Sequence, residues 1–500
     1  MMLSPVVDGV LQAATVYNLL WCLLGVTMGT LIGVLPGLGP LGAISLLLPL
    51  VMQMNDTVPA LIMLAGIYYG SQYGGSTTSI LLNMPGESAS VVTAIDGYAM
   101  TQQGRAGTAL FFAAVGSFVA GLVATVVIAM MGPPLSEFGL RFASPEMACL
   151  MLLGLVGAAM IFPGDVVKNI CMIVLGLLLS LIGTDINSAM IRFNFGWLYL
   201  SNGIEIAVMA MGMFGLAEIV RSLHRVSTDS ISPWSYSKIS GKDWHQAWPA
   251  CLRGTMIGSV LGVIPGGGAI LASYASYAAE KRIMGASRAK QPGQLSAVVG
   301  PESANNAGAQ TSFIPMLTLG MPTNPVVALL LAVMISHGIQ PGPQIMTEHA
   351  DLFWTLVASM VLGNAMLLVL NLPLIKIWIR ICQIPMTAVY PVLIVIMCAG
   401  AFSIKNNIWD IVMLIPFALL GLWLTYHRCN IAVLIMAFIL GQMLEENLRR
   451  SLVISHGDWG TFLERPVSVW LLGITAMILI LPCVRWIWSR LVLTYPKVDQ

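Results

Sequence analysis

Apolar runs close to the length needed to cross a bilayer, about 20 residues, recur along nearly the whole chain. They are separated by short clusters of Gly, Pro, Ser, Thr and Asn. The pattern predicts a first series of helices over 16–35, 58–73, 107–131, 146–162, 166–182 and 203–222. A polar stretch from His224 to Trp248, rich in Trp and Tyr, follows as a connecting loop with interfacial aromatics. A second series covers 251–266, 326–337, 350–371, 389–403, 408–426 and 431–447, with a last helix near 467–483. The segments 40–54 and 269–279 are short or polar and read as re-entrant.

Two stretches break the apolar rule. GIYYGSQYGGSTTSILLNMPG (Gly66–Gly86) and GPESANNAGAQTSFIPMLTLGMPTNP (Gly300–Pro325) sit among greasy segments yet are crowded with Gly, Pro, Ser, Thr, Asn and Gln. Gly weakens a helix and Pro removes a backbone donor. Irregular backbone at membrane depth survives only where protein buries it or where it lines a wet cavity. One such stretch in each half of a chain marks a solute site between two repeats.

The halves also share spacing. Gly25, Gly29, Gly33, Pro36, Gly37 and Gly39 map onto Gly254, Gly258, Gly262, Pro265, Gly266 and Gly268 at a constant shift, and Arg221-Ser222-Leu223 maps onto Arg450-Ser451-Leu452 at the same shift. Between these anchors, Thr78-Ser79 answers Thr311-Ser312 and Met84-Pro85 answers Met321-Pro322. The expected organisation is a first repeat over 1–223, a cytoplasmic linker over 224–248, a second repeat over 249–452, and an extra C-terminal membrane helix and tail over 453–500. The fold class is an all-α polytopic membrane protein, two inverted repeats with broken helices and re-entrant hairpins, about 10–13 membrane helices in all.

Composition agrees. The 500 residues are 57% hydrophobic and 9% charged, against about 25% charged in a soluble domain, and mean hydropathy is +0.85. The N-terminus lacks the positive region of an ordinary secretory signal peptide, so the first apolar segment is expected to stay as a helix. Of 23 Lys and Arg, only Arg141, Arg192, Lys405, Arg449, Arg450 and Arg465 fall outside when 224–248 is placed in the cytoplasm. That positive-inside bias inverts the second repeat relative to the first, with the N-terminus outside and the C-terminus inside. Net charge is +1, and no basic stripe points to nucleic acid.

Candidate chemistry concentrates in the polar stretches. Gly75, Ser76, Thr77, Thr78, Ser79, Asn83, Asn305, Asn306, Gln310, Thr311, Ser312, Thr323 and Asn324 offer hydroxyls, amides and backbone N–H groups. A half-helix N-terminus there favours an anion. The same oxygens suit a small hard cation such as Na+, and interhelical hydrogen bonding is the structural alternative. Pro36, Gly37, Pro85, Pro265, Gly266 and Pro322 are the helix-break positions, whose freed backbone groups need a partner. The glycines ahead of them also fit close helix packing. Glu302 reads either as a carboxylate at depth or as an interfacial one. The eight cysteines are scattered, the six histidines form no metal-ligand spacing, and no Walker A motif is present. No catalytic residue, metal centre or cofactor is expected, and an intramembrane enzyme finds no acidic pair or histidine cluster to work with.

The runs YYGSQYGGSTTSILLNMPGESASVVTAIDGYAMTQQGRAG (68–107) and GPESANNAGAQTSFIPMLTLGMPTNPVVALLLAVMISHGIQPGP (300–343), with GVLPGLGP and GVIPGGG, closely resemble the large membrane subunit of tripartite tricarboxylate transporters, TctA. The resemblance implies a bacterial inner-membrane secondary transporter that imports carboxylates. It also implies a small four-helix membrane subunit (TctB-like) and a periplasmic solute-binding protein (TctC-like) as partners, with a cation gradient, Na+ or H+, as the driving force. The polar hairpin residues become candidate substrate and cation ligands. A stand-alone ion-coupled carrier or exporter is the alternative. The resemblance gives the carboxylate class and not the individual substrate.

Overall fold

A computed structural model describes residues 3–35, 37–185, 188–223, 239–382, 384 and 386–493. Helix dominates. The first half contains α1 (Leu3–Ala13), α2 (Val16–Gly33), α3 (Gly39–Met52), α4 (Thr57–Leu82) and α5 (Val91–Gln102). It continues with α6 (Ala106–Gly139), α7 (Ser144–Ile161) and α8 (Val166–Ser180). A two-residue antiparallel pairing of Gly183–Thr184 with Ile191–Arg192 follows. Then come α9 (Ile206–Ala210), a π-helical segment (Met211–Leu216) and α10 (Ala217–Ser222), which join end to end.

The second half begins with α11 (Gly241–Leu261), α12 (Gly268–Ile283), the short α13 (Ala286–Ala289), α14 (Ser296–Thr311) and α15 (Phe313–Leu319). Next are α16 (Pro325–Ser336), the short α17 (Ile345–Glu348), α18 (Ala350–Asn371), α19 (Ile375–Cys382) and α20 (Met386–Lys405). The chain ends with α21 (Ile408–Tyr426), α22 (Ile431–Ile454), α23 (Thr461–Glu464) and α24 (Pro466–Leu493). Among the described residues, seven helices are long and apolar enough to cross a membrane, and four shorter apolar helices accompany them. The molecule is an all-α polytopic membrane protein.

Several expectations change. The apolar run 58–73 extends to Leu82, so the Ser/Thr-rich stretch is helical and the break comes only at Asn83–Gly86. The second polar stretch is helical as well, over α14 and α15, and breaks at Gly320–Asn324. The hydroxyls explain both. Thr77, Ser79 and Thr311 each donate to a backbone carbonyl four residues earlier, so these polar side chains are satisfied inside the helix they were expected to unwind. Helix α11 starts at Gly241, absorbing the end of the supposed loop, with Ser240 and Asp243 forming a capping box. The rest of that loop, 224–238, and the break residue Pro36 lie outside the described residues. The short segments at 40–54 and 269–279 become α3 and α12, of 14 and 16 residues. At 1.5 Å per residue these span about 21–24 Å, short of the roughly 30 Å hydrocarbon core.

The glycine ladders make the tightest contacts. Helix α2 packs along α4, and α11 along α14. A Cβ placed on Gly25, Gly29 or Gly33 would lie within 2.4 Å of a carbonyl oxygen of Met63, Ile67 or Ser71. Gly254 and Gly258 meet the carbonyls of Gly300 and Ala304 in the same way, at 2.1 and 2.3 Å. Backbones approach this closely only through glycine. Both central helices are thereby sunk in protein. Every residue from Pro59 to Leu81 is buried, as is every residue from Ala297 to Thr318.

Matching helices in the two series make matching contacts across the molecule. Helix α18 lies on α2 and α4, while α6 lies on α11 and α14. Helix α8 packs on α22, and α21 packs on the helix over 206–222. Among the described residues, the ion pairs that join separate elements fall into two groups. Arg105–Asp243 and Arg253–Glu280, both 2.7 Å, and Lys281–Asp96, 2.9 Å, form one group. Arg192–Glu445 (2.6 Å), Arg449–Asp185 (2.7 Å), Lys405–Glu205 (2.9 Å) and Arg465–Glu146 form the other.

Asp96 is the hub of the first group. Fully buried, it accepts from Lys281, from the Tyr277 hydroxyl at 3.0 Å, and from the backbone N–H groups of Gly293 and Gln294 at 2.9 and 3.0 Å. It ties the first hairpin to the loop before α14. Removing one partner of such a buried pair costs about 3–5 kcal/mol. Asp96→Ala is therefore expected to lower the apparent melting temperature of the detergent-solubilised protein clearly. Asp96→Asn, which keeps an acceptor oxygen, should lower it less.

Candidate functional site

A cavity of about 630 Å³ lies where the two halves meet. Its walls include Gly37–Gly42, Tyr68, Gln72 and the first hairpin tip Pro85–Ser88, with Gly267–Ile270 and Asn324–Val326 from the second half. Towards its mouth stand Glu218, Arg221, Thr425 and Arg428 to Ala432.

Helix direction decides its electrostatics. Leu38–Leu41 open α3, Val91 opens α5, Gly267–Ile270 open α12, Asn324–Val326 open α16 and Asn430–Ala432 open α22. Five helix N-termini thus border one cavity. Each places N–H groups and the positive end of a dipole there, which favours an anion, against the Glu87 and Glu218 carboxyls in the same wall. Two of these ends are set by their sequences: Asn324 caps α16 through a 3.0 Å bond from Val327 N–H, followed by Pro325 at the first helical position. Asn430 caps α22 from Ala432 N–H at 3.1 Å. The turns ahead of α3 and α12 depend on glycine, since Gly37 and Gly266 have φ of 92° and 81°.

Beside the cavity lies a buried polar network that joins the halves. Glu302, 1% exposed, accepts from Ser76 on α4 and from Thr93 on α5, the latter at 2.5 Å. One turn on, Asn305 donates to Glu87 at the cavity wall, 2.6 Å. Asn306 donates to Ser117 on α6 at 2.7 Å, and Thr125 of α6 donates to Gln310 at 2.8 Å.

The sequence-predicted residues divide accordingly. Asn324, Gly37 and Pro85 line the cavity. Ser76, Asn305, Asn306 and Gln310 belong to the network between halves. Thr77, Thr78, Ser79, Thr311 and Ser312 bond carbonyls of their own helices, and Ser79 also reaches Ser90 at 2.9 Å. Gly75 faces the hairpin tip, where a Cβ on Gly86 would fall 2.7 Å from Gly75 Cα. Asn83 ends α4 in left-handed backbone at φ 55° and faces outward. Gly266 donates its N–H to the Thr323 carbonyl at 2.9 Å, and Pro265 and Gly266 pack on Gly157 of α7, away from the cavity. Pro322 occupies the second break with Thr323, whose buried hydroxyl has no partner among the described residues.

The sequence profile of the Tripartite tricarboxylate transporter TctA family matches residues 19–436, which include both hairpins and every wall of the cavity. The chain belongs to that family. It is also similar to two proteins of Agrobacterium vitis. One, an "Uncharacterized 52.8 kDa protein in TAR-I ttuC' 3'region", is 46% identical over 478 residues, 95% of each chain. The other, an "Uncharacterized protein in TAR-II ttuC' 3'region", is 45% identical over 231 residues, 46% of this chain and 96% of its own length. No solved structure matches.

In this TctA-family chain, the cavity adds residues that linear spacing did not single out. Gln72 is fully buried on α4, borders the cavity, and has neither amide atom bonded. Glu87 forms the hairpin tip. Arg221, paired with Glu218 at 2.6 Å, and Arg428 stand at the mouth. Asn324 stands opposite Glu87 if Met84-Pro85 is aligned with Met321-Pro322. That alignment, and its place as one of the few charges beside the first polar stretch, were the signals for Glu87.

Proposed function

We propose that the chain is the membrane-spanning permease subunit of a binding-protein-dependent secondary transporter that imports di- or tricarboxylates. The observation that carries this reading is the cavity ringed by five helix N-termini, with two arginines at its mouth. A carboxylate finds N–H donors and positive dipole ends there without a buried counter-charge. The reciprocal helix pairings support two inverted repeats that exchange inward-open and outward-open shapes around this site. The two groups of ion pairs support the charge-derived orientation in a bacterial inner membrane, with N-terminus periplasmic and C-terminus cytoplasmic. On that orientation Arg221 and Arg428 are cytoplasmic and the cavity is inward-open. A small TctB-like membrane subunit and a TctC-like periplasmic binding protein complete the system, and a cation gradient drives it.

Cys429 provides the test, because it lines the cavity. In a variant keeping Cys429 as its sole cysteine, an impermeant maleimide should label it in inside-out vesicles and not in right-side-out ones. Citrate, malate or succinate should slow the labelling. Labelling indifferent to every member of a di- and tricarboxylate panel, together with no uptake by the reconstituted three-component system, would refute the proposal.

A further inference from the structure

The cavity accounts for an anion, but not for Glu302. This carboxyl lies at the seam between the halves, and its two oxygens are each taken by one hydroxyl, from Ser76 and Thr93. No Lys, Arg or His bonds it among the described residues. An unpaired carboxylate so buried is costly. Sodium would need several converging oxygens and a vacancy to sit in. Hydroxyls already at contact distance leave none, whereas a proton needs no volume.

Further buried polar atoms nearby lack partners among the described residues. Asn305 Oδ1 is buried and unbonded, on the side chain whose Nδ2 holds Glu87. The Tyr73 hydroxyl is also buried and unbonded. Tyr73, Ser76, Thr77 and Ser117 border a space of about 20 Å³, enough for about one water molecule. Ser76 bridges that space to Glu302.

We propose that Glu302 is the proton-loading site of the transporter: one proton adds to a carboxyl oxygen on one side of the membrane and leaves it on the other, travelling with the anion. The proposal rests on the transport reading above. Coupling follows from placement. With its proton on, Glu302 puts no negative charge behind Glu87 and the cargo. With the proton off, a second carboxylate repels both through a low-dielectric wall. Anion loading and proton loading therefore favour each other, and by linkage the favour is reciprocal. The other titratable or charged groups around Glu302 are Tyr73 on α4, Glu87 at the tip, Cys251 on α11 and Glu280 on α12, the last neutralised by Arg253. Asp96 on α5 is neutralised by Lys281. From helix α6, Ser117 donates to the Glu302 backbone carbonyl.

The test uses the full complex in proteoliposomes with radiolabelled citrate and malate. For one proton per anion, an inward gradient of one pH unit is worth about tenfold in accumulation. Wild type should show that tenfold gain, Glu302→Asp should keep it, and Glu302→Gln should show none. A second readout needs no cargo. Difference infrared spectra should contain a carboxylic-acid carbonyl band that fades as pH rises and is missing from Glu302→Gln. Glu302→Gln retaining the tenfold gain, or wild type answering a sodium gradient and not a proton gradient, would overturn the proposal and leave the transport reading standing. If wild type moves neither probe, the transport reading fails, and absence of the Glu302 band then overturns the proton site independently.

Discussion

Gly70→Val and Gly258→Val should each leave almost no correctly folded protein in the membrane. A Cβ on Gly70 would fall 2.4 Å from the Val26 carbonyl oxygen and 2.8 Å from the Thr30 nitrogen; on Gly258, 2.3 Å from the Ala304 carbonyl oxygen. These obstacles are backbone atoms of helices locked on their other sides, so no rotamer change relieves them. Core overpacking against yielding side chains costs about 1–3 kcal/mol, and the cost here is larger because whole helices must separate. Gly473→Ala is the control, since nothing lies within 4 Å of the added Cβ and alanine is the better helix former. Fluorescence-detected size exclusion of a tagged protein reads the outcome. A monodisperse peak of wild-type height for both valine variants would show that the ladders are not essential contacts.

Those ladders were legible in the sequence because a small residue every four positions has one strong structural use in a membrane helix. The polar stretches were legible as important but not in shape. Gly and Pro content argued for unwinding, yet Thr77 and Ser79 return their hydroxyls to their own helix, and packing on α2 supplies what propensity lacks. Thr78, which reads as a ligand by position, spends its hydroxyl on the Gly75 carbonyl. The pairings that build the site were beyond any linear reading. Glu87 meets Asn305 across 218 residues, and Ser76 meets Glu302 across 226. The arginines were equally hidden: they sit at helix ends in the sequence, and only the fold turns those ends towards one cavity.

Arg428→Asn should raise the KM for carboxylate uptake about 10–30-fold with a smaller effect on maximal rate. A hydrogen bond to a charged group contributes about 1.5–3 kcal/mol, and an exposed mouth position gives the lower part of that range. Arg428 has left-handed backbone, φ 56°, which asparagine tolerates, so the substitution removes the charge without new strain. Arg221→Gln is expected to do less, because Glu218 already holds that guanidinium at 2.6 Å. Arg428→Lys separates charge from geometry. Lysine keeps the field but not the forked donors, so an intermediate KM marks bidentate capture of a carboxylate, and a wild-type KM marks simple attraction. Initial rates in proteoliposomes at two salt concentrations decide between them, since attraction at the mouth is screened over about 10 Å at 0.1 M salt. An unchanged KM in Arg428→Asn would remove Arg428 from the entry path and leave anion selection to the five helix ends alone.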